Sequence, residues 1–330
     1  MQKSVLRILE VESEVLRGNP LGDPTRRRLY VYLPPAFATS PPRTIPALLA
    51  LSGFSGTGGG FFHHGPLAEG LQERLDRLIA AGACGQVIVV APDCFTRVGG
   101  SQYLNSSATG RYQDYLLKEI IPLASREFSP SRWGVFGKSS GGFGAMILGM
   151  EFPEVFQAIA NHSGDSNFEM CYLNNFWKAL DKFKAAGGVK KWLDRFWDPE
   201  NFQNRKDHHG LDLLGMAACY SPNPDSPHMG VDFPFDWDTG VFRQDVWERW
   251  RAWDPVLRMD KRAENLRKLR LAYVDCGSRD EYGLHWGSRV IASKLEAMGV
   301  PTHYEEFNDG HMSVSYRLDR SLPRLVKALE

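Results

Sequence analysis

The stretch Trp133-Gly-Val-Phe-Gly-Lys-Ser-Ser-Gly-Gly-Phe-Gly-Ala-Met146 decides the fold. Its first residues are apolar and predict a buried strand, and the small residues that follow predict a helix packed closely on a sheet. Between them lies Gly-x-Ser-x-Gly, which in this context is typical of a sharp turn that exposes a serine hydroxyl. We therefore predict Ser139 as a nucleophile. A plain strand-to-helix turn is the alternative, and Ser140 lies one position too late for the turn.

Seven further apolar runs predict strands around this one. Two of them, ALLAL from Ala47 and VIVVA from Val87, are apolar throughout, which indicates a sheet covered by helices on both faces. Apolar residues at helical spacing lie between the strands, from Leu67 to Ile79, from Leu116 to Ile121 before Pro122, and from Val290 to Met298. This alternation predicts a doubly wound, mostly parallel α/β sheet of about eight strands. The seven further predicted strands are Val5–Val11, Arg28–Leu33, Ala47–Ser52, Val87–Ala91, Phe156–Asn161, Leu271–Asp275 and His303–Phe307.

The strand pattern stops between residues 164 and 254. This segment carries aromatic-rich helical stretches and seven of the nine tryptophans. We interpret it as a helical cap inserted between two parts of the core, residues 1–163 and 255–330. A cap would cover the carboxyl edge of the sheet, where open α/β sheets bind ligands. The alternative is a separate helical domain packed elsewhere.

The loop after the Ala47 strand is rich in glycine and reads Ser52-Gly-Phe-Ser-Gly-Thr-Gly-Gly-Gly60. A loop in this position supplies one N–H group of an oxyanion hole in enzymes with such a nucleophile turn. We assign that donor to Phe54, pair it with the N–H of Ser140, and place Gly53 beside the substrate. A phosphate-binding loop is the rival interpretation, but the Gly-Lys-Ser/Thr ending is missing and no GxGxxG register leads into a helix.

The general base and its acid are expected after the nucleophile, in the order Ser, Asp/Glu, His. Asp280 follows the Leu271 strand in a loop, whereas Asp275 lies within that strand and Glu281 one step further on. His311 follows a turn at the end of the last strand, where a base is needed. We predict Asp280 and His311 as the remaining members of a triad.

Charge and cysteine content exclude several other classes. Lysine plus arginine equals aspartate plus glutamate at 39 each, so nothing favours nucleic acid or an acidic membrane as a partner. Five scattered cysteines without metal-ligand spacing indicate buried thiols in a reducing compartment. Acidic residues interrupt the N-terminal apolar stretch, and no run approaches the ~20 residues that span a bilayer. We expect a cytoplasmic protein without metal or cofactor.

The segment GKSSGGFGAM at Gly137 resembles the nucleophile region of the esterase D-like family within the α/β-hydrolase superfamily. RLYVYLPPAF, YQDYLLKEIIPLASREF and DCGSRDEYGLHWGSRVIASKLEAMGVP extend the resemblance over most of the chain outside the insertion. The resemblance implies the α/β-hydrolase fold and serine-dependent carboxylester hydrolysis by Ser139, Asp280 and His311. Lys138 and Ser140 depart from the S-formylglutathione hydrolases of this family, which usually have His and Met there. The tryptophan-rich insertion is also foreign to them.

These observations together predict a serine carboxylesterase acting on short-chain acyl or aryl esters through an acyl-enzyme. We expect the cap's tryptophans, with His285 and Trp286, to build an apolar or aromatic substrate pocket. The alternative is that most of those tryptophans form the cap's own core. Two further enzyme activities stay open, an acyltransferase with the same triad and a carbohydrate or feruloyl esterase. A non-catalytic binding module is the alternative from another class. The expected partner is a small-molecule ester, and the oligomeric state, monomer or homo-oligomer, is left open.

Overall fold

The protein is described by a computed structural model over residues 3–38, 45–66, 68–200, 203 and 208–330. Within these residues, eight strands form one sheet in the order β1-β2-β4-β3-β7-β8-β9-β10, and β5 pairs with β6 in a separate ribbon. Each predicted strand coincides with one strand of this sheet. The strands are β1 Val5–Glu12, β2 Arg26–Leu33, β3 Ala47–Leu51, β4 Ile88–Pro92, β5 Asn105–Ser106, β6 Gly110–Arg111, β7 Trp133–Lys138, β8 Phe156–His162, β9 Leu271–Gly277 and β10 Thr302–Phe307.

Only β2 runs against its neighbours in this sheet. It pairs antiparallel with β1 and with β4, whereas the five pairs from β4 to β10 are all parallel. Parallel strands need a crossover connection, and the intervening helices provide it. The predicted mostly parallel sheet is therefore confirmed, and the carboxyl ends of the parallel strands meet at one edge.

Helices cover both faces of the sheet. One face packs against α1 and α13, where Leu75 and Leu325 meet Phe136 of β7 in one hydrophobic cluster. The other face contributes Val135 to a larger cluster that includes α3, α4 and α12. The helices are α1 Leu71–Ala80, α2 Tyr112–Asp114, α3 Ile121–Phe128, α4 Ser140–Glu151, α5 Phe168–Cys171, α6 Phe176–Ala185, α7 Val189–Phe196, α8 His208–Tyr220, α9 Gln244–Arg251, α10 Pro255–Arg258, α11 Ala263–Leu266, α12 Leu284–Ala297 and α13 Leu318–Leu329.

The predicted helices differ from their sequence patterns in detail. Leu67, at the start of the first pattern, lies outside the described residues, and α1 begins at Leu71. The second helix does not stop before Pro122 but continues to Phe128, because a π-helical turn over Tyr115–Ile120 precedes it. Proline lacks an N–H and crowds the preceding turn, and a local widening of the helix accommodates both effects. The third helix ends at Ala297, one residue before the end of its pattern at Met298, and Gly299 follows with φ +75°.

The segment between β8 and β9 contains α5 to α11, and residues 201, 202 and 204–207 of it lie outside the described part. Its aromatic side chains pack on one another and join the hydrophobic cluster on the sheet face that carries α4. Trp250 is fully buried, with its ring 5.6 Å from that of Tyr172 and 5.4 Å from that of Phe176. The division into two core parts and a cap stays a prediction. Among the described helices, none has the length and apolarity needed to cross a membrane.

Candidate active site

Ser139 sits on a strained turn between β7 and α4. Its φ of 58° and ψ of −126° lie in a region that non-glycine residues rarely adopt. Two backbone hydrogen bonds hold the turn, from the N–H of Ser139 to the carbonyl of His162 and from the N–H of Phe143 to the carbonyl of Ser139, both 2.9 Å. The turn therefore presents the Ser139 side chain at the carboxyl edge of the sheet.

The glycines on either side of Ser139 are required by close backbone approach. A Cβ atom at Gly137 would lie 2.4 Å from the carbonyl carbon of Gly141, and one at Gly141 would lie 2.0 Å from the carbonyl oxygen of Leu51. No side chain fits at such distances, so α4 can begin this close to β3 and β7 only without them. The Gly-x-Ser-x-Gly spacing is thus explained by packing as well as by chemistry.

His311 and Asp280 form a buried pair at the ends of β10 and β9. Nδ1 of His311 lies 2.7 Å from Oδ2 of Asp280, and both side chains are at most 4% exposed. Burial would raise the pKa of Asp280, but the hydrogen bond and charge of His311 and the N–H of Tyr282 hold this pKa below its ordinary value. An ionised Asp280 accepts a hydrogen bond from the Nδ1–H of His311, which leaves Nε2 as an acceptor. No hydrogen bond within the described residues occupies Nε2.

The other two acidic candidates near this strand end have different partners. Glu281 accepts a 2.6 Å hydrogen bond from the backbone N–H of His311 and so fixes the loop rather than the imidazole. Asp275 lies inside β9 and pairs with His162, with 2.6 Å between Oδ1 and Nδ1. Asp280 is therefore the one of these three carboxylates that bonds to the imidazole of His311.

Two backbone N–H groups point to an oxyanion hole. Ser140 is the first residue of α4, and the first N–H groups of a helix have no acceptor within the helix. The next two N–H groups, those of Ser55 and Gly56, donate to the carbonyls of Gly99 and Gly53, whereas the N–H of Phe54 donates to no acceptor within the described residues. Both residues carry donors that are free for a developing negative charge.

The ring of Phe54 fits a slot lined by glycines. A Cβ at Gly99 would lie 2.4 Å from this ring, one at Gly100 3.2 Å and one at Gly215 2.9 Å. Gly215 belongs to α8, so the helical segment contacts the loop that carries the Phe54 N–H. The sequence analysis missed this slot, which only the folded chain assembles.

A cavity of about 270 Å³, here the nucleophile cavity, brings five predicted residues together. Its wall includes Gly53, Phe54, Ser139, Ser140 and His311, with Asp280 directly behind the imidazole. A serine, an imidazole and free N–H groups around one cavity are what acyl transfer to serine requires.

His285 and Trp286 do not line this cavity. They follow Leu284, which does, in the first turn of α12. Each helical residue is rotated by about 100° from the one before, so the next two side chains turn away. Trp286 is 47% exposed, and the guanidinium of Arg289 lies 4.6 Å from the centre of its ring.

The tryptophans of the inserted segment are also absent from the described cavity wall. The prediction that they build the pocket is therefore wrong. The segment instead contributes Asp165, Cys171, Tyr172, His208, His209 and Asp212. Most of the tryptophans are buried or partly buried in the segment's own packing, because an amphipathic helix turns its aromatic side toward the core.

The sequence analysis missed two carboxyl groups on this wall. Asp165 follows the end of β8 and accepts hydrogen bonds from Gln102, Tyr172 and Ser140, yet burial raises its pKa. Asp212 makes no hydrogen bond or ion pair within the described residues, and burial together with Asp165 raises its pKa to about 7. The strand-end position of Asp165 was a readable signal. Asp212, in the middle of a helical pattern, offered none.

A second Ser-His-Asp set lies beneath the edge of the sheet, and each of its residues is at most 4% exposed. Asp275 binds Nδ1 of His162 at 2.6 Å, and Nε2 of His162 lies 2.9 Å from Oγ of Ser321 on α13. Arg317 and the hydroxyl of Tyr273 also donate to Asp275, at 3.0 and 2.9 Å.

The fold and this site define the class of protein. A mostly parallel eight-stranded sheet with flanking helices and a serine on a strained strand-to-helix turn is the architecture of an α/β-hydrolase, and the protein is an ester hydrolase. The chain belongs to the family described as "Putative esterase", whose model matches residues 24–323. A comparison with curated proteins gives no significant match.

Solved structures with the same fold span essentially the whole chain. A ferulic acid esterase is 18% identical with a TM-score of 0.62, over 99% of both chains. A fluorophosphonate-binding serine hydrolase of Staphylococcus aureus is 14% identical with a TM-score of 0.60, over 99% of both chains. An S-formylglutathione hydrolase from Agrobacterium tumefaciens is 16% identical with a TM-score of 0.58, over 100% of this chain and 97% of its own. At these identities the likeness concerns the fold.

Proposed function

We propose that the protein hydrolyses short-chain acyl or aryl esters of small molecules through a Ser139–His311–Asp280 triad. The observation that supports this most strongly is the 2.7 Å bond between Asp280 and Nδ1 of His311, in the wall of a cavity that also holds the strained Ser139. The family supports ester hydrolysis as the activity.

In the first half of the reaction, Oγ of Ser139 attacks the ester carbonyl carbon while Nε2 of His311 accepts the hydroxyl proton. The carbonyl oxygen becomes an oxyanion, which the N–H groups of Phe54 and Ser140 stabilise. The carbon–alkoxy bond then breaks, and His311 returns its proton to the departing alcohol. Asp280 keeps the imidazole in the required tautomer and stabilises its positive charge, for which its lowered pKa suits it.

In the second half, water attacks the acyl-enzyme carbonyl and gives a proton to Nε2 of His311. The second oxyanion collapses, the bond between the carbonyl carbon and Oγ of Ser139 breaks, and His311 reprotonates the serine. The products are a carboxylic acid and the free enzyme. The small volume of the nucleophile cavity favours short acyl groups or one ring.

The test is a panel of p-nitrophenyl esters from acetate to octanoate, with methyl ferulate and an acetylated sugar added. We expect the highest kcat/KM on the short esters, and Ser139→Ala should remove the activity while its circular dichroism stays unchanged. A fluorophosphonate probe should label the wild type on Ser139. Reaction mixtures with added alcohol or sugar separate hydrolysis from acyl transfer. A folded wild type that neither reacts with the probe nor turns over any ester would contradict the proposal.

A further inference from the structure

A second cavity of about 400 Å³, here the loop cavity, plays no part in the proposed mechanism. It lies on the face of the sheet that carries α1 and α13, and its volume falls within the range of about 300–1,000 Å³ of small-molecule sites. Much of its wall is apolar. The apolar side chains are Leu51, Phe61, Leu71, Phe136, Val314 and Leu318.

The loop cavity adjoins the nucleophile cavity. Gly53 and Lys138 belong to the walls of both. A Cβ at Gly53 would lie 3.6 Å from the Cβ of Ser139 and 3.3 Å from the carbonyl oxygen of Lys138, so this shared wall is close to the nucleophile. A molecule in the loop cavity would therefore lie against the two loops that carry Ser139 and the Phe54 N–H.

Lys138 is the informative residue in the shared wall. Side chains alternate along a strand, so Lys138 shares the face of Phe136, which packs with α1 and α13. Lys138 is half-buried and makes no hydrogen bond or ion pair within the described residues. Burial lowers its pKa even though Asp280, Asp165 and Glu281 oppose this effect. The wall thus holds an ammonium group that lacks an acceptor.

The other charged groups of this wall are already paired. Arg74 contacts Asp319 and lies 3.3 Å from Glu69, which also accepts two hydrogen bonds from Arg77. A second guanidinium, that of Arg317, binds the carboxylates of Asp275 at 3.0 Å and Glu305 at 2.7 Å. Among the Lys, Arg and Glu side chains of the described wall, Lys138 alone lacks a partner of opposite charge.

We propose that the loop cavity binds a molecule with an apolar body and a carboxylate that pairs with Lys138. A largely apolar cavity with one unpaired cation in its described wall suits this chemistry, because a buried charge is costly without a close partner of opposite charge. The carboxylate belongs either to a free carboxylic acid or to one half of an ester whose carbonyl reaches Ser139. The second case rests on the proposed function, and the first does not.

Binding is measured by calorimetry with octanoate and, as the uncharged match, 1-octanol. We expect the wild type to bind one octanoate per chain. Lys138→Met, which removes the charge and keeps the side-chain length, should raise the Kd for octanoate at least 10-fold. Octanol binding should change little in this variant. Gly60→Leu should weaken both ligands, because Gly60 lines the cavity and nothing lies within 4 Å of its Cβ position. Asp212→Asn, in the nucleophile cavity, should leave octanoate binding unchanged.

Turnover distinguishes the two sources of the carboxylate. If the carboxylate belongs to the substrate, methyl hydrogen suberate should show a KM at least 5-fold below that of methyl octanoate, and Lys138→Met should remove the difference. Octanoate binding without such a KM difference assigns the cavity to a free acid. Absence of octanoate binding, or binding that Lys138→Met does not weaken, overturns the proposal. Failure of probe labelling with octanoate binding intact would overturn the proposed esterase mechanism alone.

Discussion

The molecule contains two Ser-His-Asp sets, and they differ in everything except the pairing of histidine with aspartate. Asp280 lies 2.7 Å from Nδ1 of His311, and Asp275 lies 2.6 Å from Nδ1 of His162. Ser139 lies on a strained turn beside a cavity, whereas Ser321 is fully buried inside α13 and bonds to Nε2 of His162 at 2.9 Å.

The comparison shows that a hydrogen-bonded Ser-His-Asp set is not by itself a catalytic site. The buried set has a serine–histidine bond of 2.9 Å, yet its serine is fully buried and lines neither cavity, and Arg317 and Tyr273 already donate to its aspartate. Its effect is to tie β8, β9 and α13 together. The set around Ser139 has what chemistry needs in addition, namely a serine in a cavity wall and, within the described residues, backbone N–H donors without an acceptor.

The largest effect should come from removing the two serines. Ser139→Ala should lower kcat by roughly 10⁵–10⁶-fold, since the nucleophile is lost, and should leave the free energy of unfolding nearly unchanged. Ser321→Ala should leave kcat within about 2-fold and should lower the free energy of unfolding by about 1–3 kcal/mol, because His162 loses its partner. Steady-state kinetics and urea unfolding of both variants check this. Equal losses of activity would remove the distinction between the sets.

Replacing the two aspartates should likewise affect different properties: Asp280 should affect activity and Asp275 should affect stability. Asp280→Asn should lower kcat by up to about 10⁴-fold, because the amide no longer selects the required tautomer of His311. Asp275→Asn should remove the charged acceptor that His162 and Arg317 share, while Arg317 keeps Glu305 as a partner, and should lower the free energy of unfolding by about 1.5–3 kcal/mol. The same kinetic and urea measurements apply. A stable, inactive Asp275→Asn variant would show that the buried set takes part in catalysis.

The fold was predictable, and the candidate site residues could be named, because both depend on local sequence patterns. Apolar runs marked all eight sheet strands, and the positions of Ser139, Asp280 and His311 followed from strand ends. In the structure, Asp280 bonds to His311, and His311 lines one cavity with Ser139; the catalytic roles of the three residues stay predictions. Packing between distant segments was not readable, and so Asp212, the Phe54 slot and the buried set around Asp275 were missed. The role of the tryptophans could not be read from the sequence, because aromatic residues both line pockets and fill cores.

The pH dependence of stability should also distinguish the buried set. Burial would raise the pKa of Asp275, but His162 and Arg317 hold it below the ordinary value. A lowered folded-state pKa means that the stabilisation is fully present above the unfolded-state pKa of about 3.9 and is lost as the pH falls through the folded-state pKa. The difference in free energy of unfolding between wild type and Asp275→Asn should therefore be large at pH 7 and shrink below about pH 4. Urea unfolding at several pH values measures it, and a difference that grows in acid would contradict the assigned ion pair.

The smallest effect concerns the N–H donors, which the buried set lacks. In Gly100→Ala the new Cβ would lie 3.2 Å from the ring of Phe54, so the ring must shift by a few tenths of an ångström. Losing an oxyanion donor outright lowers kcat by about 10²–10³-fold, and a displaced one should lower it by several-fold to about 10-fold. KM and the free energy of unfolding should change little, because the perturbation is small and the donor acts mainly in the transition state. A variant with unchanged kcat and a raised KM would instead place Phe54 in substrate binding and assign the oxyanion to other donors.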